Sequence, residues 1–167
     1  MSTQITESGP EQAAQFEERA KARLAELQEQ ARAAVAERPE LGGGLLQADA
    51  AASQTYSCPA KVVFTGALVW ERIQVCCDSQ PPVNFTSDIW GLSVAFGGIV
   101  WGTAWFSVPP SQLPSLGSLS VQCNIRAVEV DMSWWKDGTP IGTFIGGGVG
   151  IGAAILGGTG EFKNGGC

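Results

Sequence analysis

Apolar and polar residues alternate at period two through much of the second half of the chain, which predicts a β-protein. The longest such stretch, Ser118 to Phe162, reads as a long hairpin. Leu119, Val121, Cys123 and Ile125 share one face; after Ala127 the apolar set moves to Val128, Val130, Met132 and Trp134. A slip of one position predicts a β-bulge near Arg126 and Ala127, because a strand that keeps one face buried needs an extra residue to change phase. Lys136-Asp137-Gly138-Thr139 supplies the turn, Asp-Gly being suited to positive φ. The return strand is glycine-rich, with Val149, Ile151, Ala153 and Ile155 alternating with Gly148, Gly150, Gly152 and Ala154.

Upstream, Lys61 to Cys77 is dense in β-branched and aromatic residues and reads as strand with a bend at Gly66. Gln80-Pro81-Pro82 ends it, and a new strand opens near Asp88. Ile89 to Phe96 and Ile99 to Val108 predict a second hairpin through Gly97-Gly98, followed by a loop at Pro109, Pro110 and Pro114. Strands separated by Gly and Pro turns point to an antiparallel sandwich or a closed barrel.

The beginning of the chain has a different period. Ser8 and Glu11 have capping-box spacing with Pro10 in the first turn, and Phe16, Ala20, Leu24, Leu27, Ala31 and Val35 form a stripe at helical spacing. A helix is predicted from Glu11 to Arg38, ended by Pro39. Its stripe is narrow and mostly alanine, so a solvated or weakly docked appendage is expected, with partner docking or a coiled coil as alternatives. Gly42-Gly43-Gly44 and Gln47 to Gln54 have the composition of a flexible linker. The predicted organisation is thus a helical segment over 1–41, a linker over 42–59, a β-domain over 60–163 and a tail over 164–167.

Ile141 to Gly160 is uncharged, long enough to cross a bilayer as a helix, and carries small-xxx-small spacing at Gly142, Gly146 and Gly150. Each helical glycine costs about 1 kcal/mol relative to alanine, and Gly146-Gly147-Gly148 stacks three such costs, so strand is the better assignment.

With 10 basic against 16 acidic residues, a net charge of -6, the chain is a poor match to nucleic acid or to an anionic lipid surface. Histidine is absent, which removes the commonest general base and most zinc constellations. Glu71, Asp88, Glu129, Asp131 and Asp137 are scattered, and Glu129 with Asp131 reads as a solvated outer face rather than a glycosidase pair. No catalytic residue, metal ligand or cofactor is therefore assigned, and a non-enzymatic protein is expected.

Of the five cysteines, Cys76 and Cys77 are adjacent and must point to opposite faces of a strand. Buried thiols are expected, with a disulfide from Cys58 to Cys76 or Cys77 as the alternative, and Cys167 is an end thiol able to cross-link chains. Most tryptophans are expected in the core. Trp134 and Trp135 must face opposite ways, so Trp135, together with Trp90, is a candidate contact surface in a charge-poor region.

Trp101-Gly102-Thr103-Ala104, the strand VQCNIRAVEVDMSWW and the run IGTFIGGGVGIGAAILGGTGEF resemble the VapA/VapB family of virulence-associated proteins of actinobacterial intracellular pathogens. The resemblance covers roughly Lys61 to Phe162. It implies a mainly-β fold, a single closed antiparallel barrel of about eight strands with a side-chain-filled interior, here preceded by a separate N-terminal α-helix. It also implies an effector acting on a host membrane or host protein, and a secreted or host-targeted location. The opening residues MSTQITESGPEQ do not read as a Sec signal peptide, which leaves the export route and a cytoplasmic location open. A small-ligand barrel, and an interaction module whose N-terminal helix mediates secretion, assembly or self-association, are the alternatives.

Overall fold

The computed structural model describes residues 10–37, 56–67, 69–93, 98–126, 129–148 and 153–167. Helix α1 covers Pro10–Glu37 and precedes eight strands: β1 (Tyr56–Ala67), β2 (Trp70–Cys77), β3 (Val83–Ser93), β4 (Gly98–Phe106), β5 (Ser118–Arg126), β6 (Glu129–Lys136), β7 (Thr139–Gly148) and β8 (Ala153–Asn164). A 3-10 helix, Pro110–Leu116, lies between β4 and β5. The strands close into an antiparallel barrel in the order β1-β2-β3-β8-β5-β6-β7-β4. Two meanders, β1–β3 and β5–β7, are therefore held together by β8 on one side and β4 on the other. No edge is left for pairing with another chain among the described strands.

The alternation seen in the sequence is the inside-outside pattern of this barrel. Leu119, Val121, Cys123 and Ile125 on β5 and Val130, Met132 and Trp134 on β6 are all buried. The phase slip between the two sets has a different origin from the predicted bulge. Arg126 faces Glu129 across the β5–β6 ladder, so the two apolar sets belong to two separate antiparallel strands, and Ala127 and Val128 lie outside the described residues. The register irregularity falls instead between Trp134 and Trp135. The glycine-rich return is likewise two strands, β7 and β8; residues 149–152, which include Val149 and Ile151, lie outside the described set.

Lys61 to Cys77 also folds back on itself, with Ala67 opposite Trp70, instead of forming one bent strand. The predicted hairpin through Gly97-Gly98 is a crossover: β3 pairs with β2 and β8, and β4 pairs with β1 and β7. Residues 56–59 belong to β1, not to the linker, and the predicted linker residues before them lie outside the described set. The Asp137-Gly138 turn is as expected, with φ of 49° and 80° at its two residues.

The interior is filled by side chains. Phe85, Phe106, Trp134 and Phe162 stack with ring centroids 5.0 to 5.9 Å apart, and Leu113 of the 3-10 helix is fully buried in the same core. Gly142 on β7 leaves room for this stack, since a Cβ there would collide with the Phe106 ring.

Helix α1 is docked, contrary to the weakly held appendage expected from its alanine-rich stripe. It lies over the outer faces of β4 and β7, where Ala20 and Leu24 are buried with Trp105 and Ile145, and Phe16 packs at the margin. Small residues permit this close approach. Thr143 Oγ1 donates to the Ala20 carbonyl oxygen at 2.5 Å.

Candidate contact surface

Three large apolar residues are strongly exposed among those described: Trp90 at 60%, Val69 at 58% and Ile155 at 70%. They lie at the barrel end where β1 turns into β2. On the outward face of β3, Trp90 stands between Trp70 of β2 and Gly157 of β8 in the ladder. Gly157 carries no side chain to cover the indole, and an added Cβ there would meet only Val121 O at 3.6 Å. Ile155 is two residues from Gly157 and shares its outward face, and Val69 is tied to β3 by its carbonyl oxygen, which accepts from Gly91 N at 3.3 Å.

The Trp70 and Trp90 rings are tilted at 56° with centroids 6.4 Å apart. The Arg72 guanidinium lies 5.8 Å from the Trp70 centroid and donates from Nε to Asp88 Oδ1 at 2.8 Å and from Nη2 to Oδ2 at 3.3 Å. These hydrogen bonds raise the Arg72 pKa and hold the Asp88 carboxyl below its ordinary value. The two nearest charges thus neutralise each other and leave the aromatic pair in a locally uncharged rim.

Trp135 is not part of this surface. It faces outward as the alternation requires, yet it is half-buried, lies opposite Ser120 and Pro140, and donates from Nε1 to Ser133 Oγ at 3.0 Å. Strands β8 and β5 separate its strand from that of Trp90. The sequence therefore pointed to two tryptophans of which one carries the exposed surface, and it missed Val69, Trp70 and Ile155. The alternation of Ile155 with Ala154 was legible, but which of the two faces water depends on the direction in which the sheet closes.

The expectation of buried thiols holds for three of the five cysteines, whereas the alternative disulfide from Cys58 and the free end thiol at Cys167 are replaced by a different pairing. Cys76 is joined to Cys167, with 5.7 Å between their Cα atoms, while Cys58, Cys77 and Cys123 are buried thiols. Cys58 and Cys77 share the barrel interior, so Cys77, not Cys76, is its neighbour there; Cys76 points out, where pairing of β8 with β3 delivers the tail. A hydrogen bond to Cys58, with burial, pushes the Cys77 thiol well up, and burial pushes the Cys123 thiol up, helped by the charges of Glu71 and Asp131. Such thiols are poor nucleophiles.

The carboxylates are not gathered. Glu71 is fully buried inside the barrel and Asp88 lies on the outside opposite Arg72, while Asp137 sits in an exposed turn. Glu129 and Asp131 do share the outer face, but beneath α1: Arg19 donates to both Glu129 oxygens, and burial raises the Asp131 pKa against the lowering effect of Arg23. Among the described residues no group of three His, Cys, Asp or Glu is placed to hold a metal ion. A hollow of about 460 Å³ lies outside the barrel beside the disulfide, lined by Pro59, Lys61, Asp78, Trp101 and Cys167 among others. No described helix is long and apolar enough to cross a membrane.

A model of the Rhodococcus equi virulence-associated protein family matches residues 3–163. Among solved structures, the virulence-associated protein VapD of Rhodococcus equi is similar with a TM-score of 0.58 and 23% identity, covering 66% of this chain and 99% of its own. Virulence-associated protein VapB of the same organism gives a TM-score of 0.58 and 22% identity over 66% of this chain and 99% of its own. No match was found among curated proteins. These two structures share the barrel fold, and the family model extends over nearly the whole sequence, helix included: the chain belongs to the Rhodococcus equi virulence-associated protein family.

Proposed function

We propose that this virulence-associated protein is a non-enzymatic effector that works by contact, laying the surface around Trp90 against a host membrane. The observation that carries this reading is the coincidence of Trp90, Val69 and Ile155, each more than half exposed, at one end of the barrel. Tryptophan flanked by aliphatic side chains suits the membrane–water interface, where the ring is buried and its N–H stays wet. A net charge of -6 directs the contact to zwitterionic rather than anionic lipid. The aromatic stack along the interior supports a surface function over a ligand-holding lumen.

Contact with a host protein is the second reading, favoured by the Arg72–Asp88 pair, which gives the aromatic pair the polar rim common at protein interfaces. Flotation with phosphatidylcholine vesicles at neutral and acidic pH separates the two. Co-flotation at either pH supports the membrane reading; failure at both contradicts it and leaves the protein-contact reading.

A further inference from the structure

The Cys76–Cys167 bridge lies on the outside of the barrel, and its two ends are unlike. Cys76 is half-buried within the sheet, opposite Lys61 of β1 on one side and Asn84 of β3 on the other. Cys167 is exposed and follows Gly165 and Gly166, where an added Cβ would meet nothing within 4 Å. Among the described residues its segment is held, besides the bridge, by hydrogen bonds from Gly165 N to the Pro82 carbonyl oxygen and from Asn84 Nδ2 to the Gly165 carbonyl oxygen, both 2.9 Å. Both cysteines line the hollow of about 460 Å³, a volume that suits a small molecule. Lys61 lines it too, with its ammonium 5.5 Å from the Trp101 centroid, and no ion pair engages it among the described residues. Asp78 is the opposing charge there. Directly opposed residues on adjacent strands have Cβ atoms roughly 4.5–5.5 Å apart, whereas two residues along an extended chain are separated by about 6.6 Å. Lys61 therefore stands closer to Cys76 than Asp78 does, and its flexible stem lets the ammonium swing from the indole to the sulfur.

We propose that this bridge is an exchange site for a small thiol, which enters through the hollow, becomes disulfide-linked to Cys167 and displaces Cys76. The incoming thiolate attacks Cys167 Sγ and forms a new S–S bond there, while the bond to Cys76 breaks with its electron pair going to the Cys76 sulfur. Cys76 leaves as a thiolate beside Lys61 and then takes a proton from water. One disulfide replaces another, so no oxidant or reductant is consumed. Two features direct the attack to Cys167. Displacement at sulfur needs an open approach in line with the bond that breaks, and Cys167 is the more exposed of the two. The better leaving group is the thiolate that its surroundings stabilise, which is Cys76 opposite Lys61. The segment Asn164–Cys167 then carries the thiol and keeps only the two exposed hydrogen bonds at Gly165.

The test exposes the folded, disulfide-bonded chain to glutathione at mildly alkaline pH, quenches in acid at early times and locates the adduct by peptide mass spectrometry. Glutathione is expected on Cys167 roughly tenfold over Cys76. Lys61→Gln is expected to slow the exchange roughly threefold, the effect of about one pKa unit on the leaving thiol, while Lys61→Arg retains the rate and Asp78→Asn raises it. Those signs follow charge and not packing. Adduct mainly on Cys76 or evenly split, no exchange in the folded protein, or an unchanged rate in Lys61→Gln would overturn the proposal.

Discussion

Trp90 stands opposite Gly157 across the β3–β8 ladder, and the missing side chain at Gly157 leaves the indole 60% exposed. Its one ring neighbour among the described residues is Trp70. Replacing Trp90 by Ser is therefore expected to cost less than about 1.5 kcal/mol, the worth of an aromatic pair. Trp134→Ala, which empties a fully buried site between Phe85, Phe106 and Phe162, is expected to cost about 3–5 kcal/mol. Urea denaturation of the two variants measures the contrast, and similar losses for both would contradict the assignment of Trp90 to the surface.

The Cys76–Cys167 bridge spans a sequence separation of 91. On the chain-entropy estimate a loop of that size stabilises by about 4–5 kcal/mol, so Cys167→Ser should lower the denaturation midpoint and make it insensitive to reductant. Thiol titration gives a second check. The native protein is expected to show no reactive thiol, and the unfolded, unreduced protein three, from Cys58, Cys77 and Cys123.

Two carboxyls give opposite pH dependences. Asp88 is held below its ordinary pKa by the hydrogen bond from Arg72, so its contribution is present above the unfolded pKa and is lost as pH falls through the lowered folded value. Asp131 is raised by burial under α1, so its contribution is full below the unfolded pKa and is lost as pH rises through the folded value. Asp131→Asn should accordingly stabilise the protein at neutral pH relative to acid, and Asp88→Asn should remove part of the loss on acidification. Thermal melts across the acidic range test both signs.

Helix docking depends on a small residue at its closest point. Ala20 is fully buried with its carbonyl oxygen bonded to Thr143, so Ala20→Leu overpacks the contact and is expected to weaken docking by about 1–3 kcal/mol. Hydrogen exchange should rise over Phe16 to Leu24 while the β5 and β8 amides keep their protection. Unchanged exchange in α1 would contradict the docked arrangement.

The alternation of Leu119, Val121, Cys123 and Ile125 was legible because a barrel strand buries one face throughout its length, and the Asp137-Gly138 turn was legible because its chemistry is local. What followed Arg126 was ambiguous for a physical reason: a bulge within one strand and a passage from one strand to the next can both shift a period-two pattern by one. The pairing of β4 with β1 and β7 involves residues far apart in sequence and left no local sign. The same holds at the contact surface. Sequence required one of Trp134 and Trp135 to face outward, but Trp135 is half-buried between Ser120 of β5 and Pro140 of β7, and Trp90 is exposed beside a glycine on β8. The docking of α1 was hidden for a related reason, since its partner surface exists only once β4 and β7 lie side by side.

Vesicle flotation with substituted proteins tests the contact surface most directly. With phosphatidylcholine vesicles, Trp90→Ser and Ile155→Ser are each expected to lower the bound fraction roughly tenfold, equivalent to about 1.4 kcal/mol of binding, while Trp135→Ser leaves it near the unsubstituted level. Equal binding by the Trp90→Ser and unsubstituted proteins, or a loss confined to Trp135→Ser, would contradict the account.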